Sequence, residues 1–138
     1  MDNETTPMAP AAVIDALYAA MRAGDTETVI GLLSDDVLIV VPGPAGIGAA
    51  GEWRGHDGAR ECFRRLGAGQ TTERLDFLER ITEGPFVVSR LHAAAVVHAT
   101  GRRFESDIIH LFTVRDGKVS RLLDFFDTAA IVSAYKGA

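Results

Sequence analysis

The apolar segment RLLDFFD carries a carboxylate at its centre, Asp124, between two leucines and two phenylalanines. An isolated charge in an apolar core is energetically costly, so a buried aspartate is paired, protonated or used chemically. His110 occupies a similar place in the preceding apolar segment, IIHLF. Desolvation raises the pKa of such an aspartate, and a nearby imidazolium lowers it again. The pair could therefore move a proton at a carbon acid, with the histidine assisting, or simply join two strands as a buried strut.

The turn between the two segments decides whether the two side chains share a face of the sheet. Its sequence, RDGK, favours a tight hairpin because glycine directly follows aspartate. A two-residue loop would pair Arg115 with Lys118. His110 and Asp124 would then point to opposite faces.

A three-residue loop would instead pair Val114 with Lys118, with the turn glycine in the left-handed position of a bulge. Asp124 would then lie opposite Ile108, with His110 as its diagonal neighbour at about 7–8 Å between α-carbons. We predict this loop because it gives the apolar side chains of both strands a common face. That face comprises Phe104, Ile108, Phe112, Leu122 and Phe126, with Ser106, His110, Ser120 and Asp124 as its polar members. An apolar wall with a few convergent polar groups is typical of a ligand pocket.

Hydrophobic periodicity predicts helices first and antiparallel strands last, which indicates an α+β fold. A Gly/Ala/Pro-rich loop at 42–55 follows the first strand and is too long to be a mere connector, so we expect a lid over the pocket. We predict a disordered tail at 1–9 and a single domain at 10–138. The predicted helices span 10–23, 25–33, 57–66 and 128–136, and the predicted strands span 37–41, 74–81, 86–98, 102–114 and 119–127.

Composition excludes several classes of function. The chain of 138 residues has a formal net charge of −5 and no basic patch, so nucleic acid is not an expected partner. No apolar run approaches the roughly 20 residues of a membrane span. The single cysteine, Cys62, rules out an internal disulfide and fits a cytoplasmic protein. The histidines lack metal-site spacing, so no metal is expected.

The last strands are apolar on both faces, and the helices can cover only one of them. A large apolar face is rarely left in water. We therefore predict a homodimer through the outer face of the sheet, with Arg90 and His92 at the interface.

Three stretches resemble the NTF2-like superfamily, and in particular its SnoaL-like branch. They are AAMRAGDTETVIGLLSDDV (19–37), WRGHDGARECFRRL (53–66) and TGRRFESDIIHLFTVRDGKVSRLLDFFDTAAI (100–131). The resemblance covers nearly the whole chain. It implies a cone of curved, mostly antiparallel sheet wrapped around a helix.

Two activities known on this fold lose part of their residue set here. Ketosteroid isomerases carry a tyrosine and an aspartate base at positions that resemble Leu17 and Val41. Limonene epoxide hydrolases share an aspartate resembling Asp124, but their partner arginine and second aspartate fall at Leu91 and Ala93. An epoxide hydrolase-like enzyme stays an alternative on the strength of that one aspartate.

SnoaL-like polyketide cyclases use an aspartate on the last strand with a histidine on the strand before it, which Asp124 and His110 match. The resemblance implies cofactor-free, intramolecular aldol-type ring closure, or a related isomerase or lyase reaction, on an apolar carbonyl compound. A protein that binds a small molecule without chemistry is the alternative. Tyr18 either reaches the pocket or packs in the core, and Trp53 either stacks on a flat ligand or anchors the core. The residues expected to contact the substrate are Leu17, Tyr18, Val41, Trp53, Phe63, Ile108, Leu122 and Phe126.

Overall fold

A computed structural model describes residues 6–137. The predicted tail lies partly outside this range, at 1–5, and residues 6–9 form neither helix nor strand. The elements in chain order are α1 (Pro10–Arg22), α2 (Thr26–Gly31), β1 (Leu33–Val41), β2 (Gly51–Arg54), α3 (Gly55–Gly69), β3 (Gln70–Glu83), β4 (Phe86–Val97), β5 (Arg103–Arg115), β6 (Lys118–Phe126) and α4 (Thr128–Lys136).

The six strands form one sheet in the order β2-β1-β6-β5-β4-β3. All neighbouring strands are antiparallel except β1 and β6, which run parallel. The sheet packs one face against the helices, and the core lies between them. The predicted α+β class, with a mostly antiparallel sheet and N-terminal helices, is confirmed.

Helix α1 supplies the side chains that fill the concave face of the sheet. Its buried residues recur at helical spacing, which gives the helix one apolar face. They are Val13, Ile14, Leu17, Tyr18 and Ala20. Residues Val37 and Ile39 of β1 and Phe112 of β5 meet them in the same core, each with at most 1% of its surface exposed.

Several predicted boundaries are wrong. β1 begins at Leu33 rather than at 37, and β3 runs from Gln70 to Glu83 rather than over 74–81. The predicted loop at 42–55 is shorter, because β2 pairs with β1 from Gly51 to Arg54. A strand of four residues leaves too short a pattern to be read from sequence. The third helix continues past Leu66 to Gly69, and β3 starts at the next residue, Gln70, without an intervening loop.

The β5–β6 hairpin sets which face Asp124 occupies. Arg115 pairs with Lys118 across a two-residue turn in which Asp116 has φ 52° and Gly117 has φ 74°. Positive φ at both central residues is the type I′ pattern, which matches the twist of the flanking strands. One extra residue on β6, Ser120, then breaks the regular pairing.

This register corrects the predicted one in an informative way. The three-residue loop is wrong, and Asp124 lies opposite His110 rather than opposite Ile108. A two-residue turn alone would separate the two side chains onto opposite faces. The bulge at Ser120 restores the phase of the strand, since an inserted residue shifts the alternation of side chains by one.

Gly117, in the turn, should tolerate replacement by alanine less well than Gly67, in α3. An alanine at Gly117 has to hold a left-handed φ with its Cβ 3.3 Å from Pro7, so we expect Gly117→Ala to lower the free energy of unfolding by about 1–2 kcal/mol. Gly67 lies in α3 with open space where a Cβ would be, so Gly67→Ala should raise stability by about 0.5–1 kcal/mol. Urea denaturation measures both, and equal effects of the two changes would contradict the turn assignment.

Candidate active site

His110 and Asp124 face each other directly across β5 and β6. The Nε2 atom of His110 lies 3.4 Å from Oδ1 of Asp124, and both side chains are largely buried. The two atoms touch without the alignment of a hydrogen bond, and Oδ1 has no hydrogen-bond partner among the described residues. A buried carboxylate oxygen without a partner is uncommon, which makes Asp124 a candidate for a role beyond stabilising the fold.

Tyr18 holds the other side of the imidazole. Its hydroxyl lies 2.7 Å from Nδ1 of His110, and the two rings stack with their centroids 5.8 Å apart. Tyr18 is 6% exposed on the inner face of α1, and burial raises its pKa to about 12. The phenol therefore keeps its proton at neutral pH and can donate a hydrogen bond to Nδ1 of His110.

Burial shifts the pKa values of the pair in opposite directions. Desolvation lowers the pKa of His110 to about 4, so its imidazole is neutral at pH 7. Desolvation raises the pKa of Asp124 to about 7, and a hydrogen bond from the backbone of Phe125 opposes this shift. Asp124 can therefore both accept and release a proton near neutral pH, as a general acid/base requires.

These contacts favour one tautomer of His110. With Tyr18 donating to Nδ1, the imidazole proton lies on Nε2 and faces Asp124. The opposite tautomer would turn a lone pair towards the carboxylate, which is unfavourable whenever Asp124 is ionised. The arrangement therefore presents a neutral N–H donor beside a carboxyl group of raised pKa.

Both side chains line a mainly apolar cavity of about 200 Å³. Its floor is the inner face of the sheet, and its roof comes from α1, α3, α4 and the loop at 42–50. His110 and Asp124 line it together with six of the predicted contact residues: Leu17, Val41, Phe63, Ile108, Leu122 and Phe126.

Tyr18 and Trp53, also predicted to contact substrate, are placed elsewhere. Tyr18 contacts the imidazole of His110 but is not among the residues that line the cavity. The indole N–H of Trp53 donates to the carbonyl oxygen of Ala49 at 2.8 Å, and the guanidinium of Arg65 lies 5.0 Å from the ring centroid. Trp53 thus fixes the loop that leads into β2, because its only polar atom is already bonded to that loop.

Helix α4 is the part of the cavity that sequence reasoning missed. Thr128, Ile131 and Val132 line the cavity from this helix. Asp127 caps it by accepting a hydrogen bond from the backbone N–H of Ala130 at 3.1 Å. The apolar spacing within α4 was a usable signal, but nothing in the sequence said which face of the sheet the helix would cover.

Cys62 also lines the cavity, on α3. Burial, and then the charge of Asp124, raise the pKa of its thiol to about 12. The thiol is therefore protonated at neutral pH and is not a nucleophile.

Within residues 6–137, no cluster of three or more His, Cys, Asp or Glu side chains could hold a metal ion. No helix in the same range is long and apolar enough to cross a membrane.

Comparison with known proteins identifies the family. The sequence pattern of the SnoaL-like domain matches residues 14–122. The chain belongs to the SnoaL-like family. An NTF2-like protein from Burkholderia xenovorans shares the fold of this SnoaL-like domain, with a TM-score of 0.81 and 25% identity over 91% of this chain and 95% of that one. The resemblance drawn from the sequence is thereby confirmed.

For two further similar structures, a bound compound or a proposed activity is known. TerC, crystallised with polyporic acid, is 30% identical with a TM-score of 0.74, over 92% of this chain and 98% of that one. IdmH from Streptomyces antibioticus, described as a proposed polyketide cyclase, is 25% identical with a TM-score of 0.70, over 95% of this chain and all of that one. No curated protein matches the sequence significantly.

Proposed function

We propose that this protein is a cofactor-free acid/base enzyme, a cyclase of the polyketide cyclase type or a related isomerase or lyase, acting on an apolar carbonyl compound. The observation that carries the proposal is a carboxyl group, Asp124, in the wall of an apolar cavity, with its Oδ1 atom buried and unpartnered among the described residues. Its neighbour His110 is neutral and offers a donor. Side-chain proton transfer is sufficient for this chemistry.

Ring closure would proceed in two proton transfers. The Asp124 carboxylate takes a proton from the carbon next to a substrate carbonyl, which leaves an enolate whose oxygen accepts a hydrogen bond from Nε2–H of His110. The enolate carbon attacks a second carbonyl carbon in the same molecule, and a C–C bond forms. The oxygen of that carbonyl takes the proton back from Asp124, which gives a hydroxyketone and returns the carboxylate.

Two similar structures support this class of ligand. IdmH is described as a proposed polyketide cyclase, and TerC was crystallised with polyporic acid. The epoxide hydrolase alternative is weaker, because Leu91 and Ala93, where its partner residues would stand, are buried apolar residues.

Hydrogen–deuterium exchange tests the proposal without knowledge of the natural substrate. An aromatic ketone with acidic α-protons, such as 2-tetralone, is incubated with the protein in D₂O, and loss of the α-proton signals is followed by NMR. We expect exchange faster than in buffer and dependent on Asp124. Binding of such ketones without any enhancement of exchange would instead indicate a small-molecule-binding protein.

We also propose a homodimer through the outer face of the sheet, in the cytoplasm. The outer side chains of β5 and β6 include an apolar group, Ile109, Leu111, Leu123 and Phe125, of which Phe125 is 50% exposed. Beside it lies a set of ion pairs rather than the continuous apolar face expected from the sequence. In this set Arg90 pairs with Glu79 and Asp107, and His92 pairs with Asp107.

Phe125→Glu should shift the protein from dimer to monomer in sedimentation velocity experiments, because it buries a charge within the proposed apolar interface. We expect the dissociation constant to rise at least 100-fold, since burial of an unpaired charge costs about 3 kcal/mol or more. Met8→Glu adds the same charge at another exposed apolar residue and serves as the control. A monomeric wild type, or a Phe125→Glu variant that stays dimeric, would contradict the interface.

A further inference from the structure

The cavity extends well beyond the acid/base pair. Thr72, Ala95 and Phe104 form one cross-strand row on β3, β4 and β5, and all three line the cavity. His110 lies six residues farther along β5, opposite Asp124, so the row and the acid/base pair lie in different parts of the cavity. A ligand that reaches from Asp124 to the start of β3 is therefore elongated.

Gln70 is the polar side chain at this far end. It is partly buried, at the junction where α3 passes directly into β3. The hydroxyl of Tyr135 on α4 donates to its Oε1 at 2.8 Å. Burial raises the pKa of Tyr135, so the phenol remains a donor. The amide is thereby oriented, with its oxygen occupied and its NH₂ group without a hydrogen-bond partner among the described residues.

The surroundings of Gln70 are built closely around this contact. A Cβ on Gly69 would lie 2.8 Å from the Tyr135 hydroxyl, so a larger residue there would displace the tyrosine. The backbone N–H of His98 also donates to the carbonyl oxygen of Gly69 at 2.9 Å, which fixes the junction from the other side. An amide held in one orientation offers its donors with little loss of side-chain entropy.

The far end is also where the cavity meets open space. Gln70 and Thr72 border a second, more open groove of about 300 Å³ between α1, α2 and α3, together with Met21 and Leu66. The Gln70 amide thus stands between the buried cavity and this groove.

We propose that the Gln70 NH₂ group recognises an oxygen acceptor, such as a carbonyl or quinone oxygen, at the far end of an elongated aromatic ligand whose reacting carbonyl lies at Asp124. This assignment rests on the proposed function, because it takes the cavity to hold an apolar carbonyl compound. It adds a second recognition site, so the substrate carries oxygen functions at both ends of an apolar body.

Two probes that differ by one acetyl group test this site. The first is 4-acetylbiphenyl, with a carbonyl at one end, and the second is 4,4′-diacetylbiphenyl, with a carbonyl at each end. Isothermal titration calorimetry measures both against wild type. We expect the diacetyl compound to bind about fivefold more tightly, the effect of one hydrogen bond of about 1 kcal/mol.

Three variants assign that preference to the amide. Gln70→Glu keeps an oxygen for Tyr135 but replaces the donor with an acceptor, and Gln70→Met removes the polar group at similar volume. Both should abolish the preference while binding of 4-acetylbiphenyl persists, with circular dichroism confirming the fold. Tyr135→Phe frees the amide to rotate and should reduce the preference only in part.

The outcomes separate this assignment from the proposed function. Equal binding of the two compounds to wild type, or a preference that survives in both Gln70 variants, overturns the recognition site and leaves the acid/base proposal standing. Failure of either compound to bind wild type overturns the recognition site and also contradicts the proposed ligand class. Loss of the preference in both Gln70→Glu and Gln70→Met supports the recognition site at Gln70.

Discussion

Asp124→Asn should lower turnover of a competent substrate by about 10²- to 10⁴-fold, the usual contribution of a general acid/base, and leave its binding nearly unchanged. The amide has the shape of the carboxyl group but neither takes nor returns a proton. The α-proton exchange assay measures the loss, and calorimetry measures binding. A variant that retains exchange would show that Asp124 is not the base.

The same substitution should change how stability depends on pH. The pKa of Asp124 rises from 3.8 to about 7 on folding, so the folded state binds more protons than the unfolded state between these values. Stability from this group is therefore lost as pH rises through that window. The free energy of unfolding of Asp124→Asn, measured relative to that of wild type, should therefore rise by about 4 kcal/mol between pH 4 and pH 8.

His110 contributes with the opposite sign. Its pKa falls from 6.5 to about 4 on folding, so the unfolded state binds more protons in that window and stability rises with pH there. In wild type the two contributions largely cancel between pH 4 and pH 6.5. In Asp124→Asn only the histidine contribution remains, so its stability should rise over the same interval by about 3 kcal/mol.

Urea denaturation at several pH values tests both statements. Asp35→Asn is the matched control, because the Asp35 side chain is fully exposed. Its effect on the free energy of unfolding should be small, because this exposed side chain makes only a 3.8 Å contact with His56. A difference between wild type and Asp124→Asn that does not grow with pH would mean that the carboxyl group is not desolvated in the folded protein.

Tyr18→Phe should lower the free energy of unfolding by about 1–3 kcal/mol and loosen the orientation of His110. The change keeps the buried ring but removes the hydroxyl that bonds Nδ1, which leaves a buried polar atom without its partner. Turnover should fall while substrate binding is kept, since Tyr18 does not line the cavity. Tyr18 is thus a positioning residue for the proposed reaction.

The tautomer of His110 gives a readout that a purely structural tyrosine would not move. In ¹⁵N-histidine-labelled wild type we expect Nε2 to carry the proton and Nδ1 to be bare. In Tyr18→Phe we expect a mixture of tautomers, whose proportion changes as Asp124 titrates. The two nitrogens have distinct ¹⁵N shifts, so the spectrum separates the two forms.

Tyr135→Phe is the matched control for this measurement. It removes the same atom from the other tyrosine, whose hydroxyl bonds Gln70 rather than His110. The His110 spectrum should stay as in wild type. An unchanged His110 tautomer in Tyr18→Phe would show that another group sets the proton position.

The fold class could be predicted from the sequence. The sequence also predicted that His110 and Asp124 share a face of the sheet, although the three-residue loop on which that prediction relied is wrong. Hydrophobic alternation identified β5 and β6, because a half-buried strand needs it. The residues of the turn were compatible with both a two-residue and a three-residue loop. The bulge at Ser120 has no sequence signal of its own. The requirement that the apolar side chains of both strands share one face was a better guide than the turn residues, because the folded core buries those side chains together.

The role of Tyr18 and the contribution of α4 could not be predicted in the same way. Both depend on how a helix lies over the sheet, and that placement is set by packing across long sequence separations. Periodicity places Tyr18 on the buried face of α1 but cannot show that it meets Nδ1 of His110. The Tyr135–Gln70 contact, between residues 65 positions apart, is of the same kind.

The bulge on β6 makes the proposed site unequally sensitive to changes in chain length. Side chains of a strand alternate with a parity of two, and Ser120 is the one residue between the turn and Asp124 that stands outside this parity. A sequence that loses Ser120 keeps every pair beyond it, from Arg121 opposite Thr113 onward. A loss between Leu122 and Asp124 would turn the carboxylate to the outer face and leave the cavity without its acid. We therefore expect a deletion at the bulge to preserve the proposed site and a deletion three residues later to destroy it.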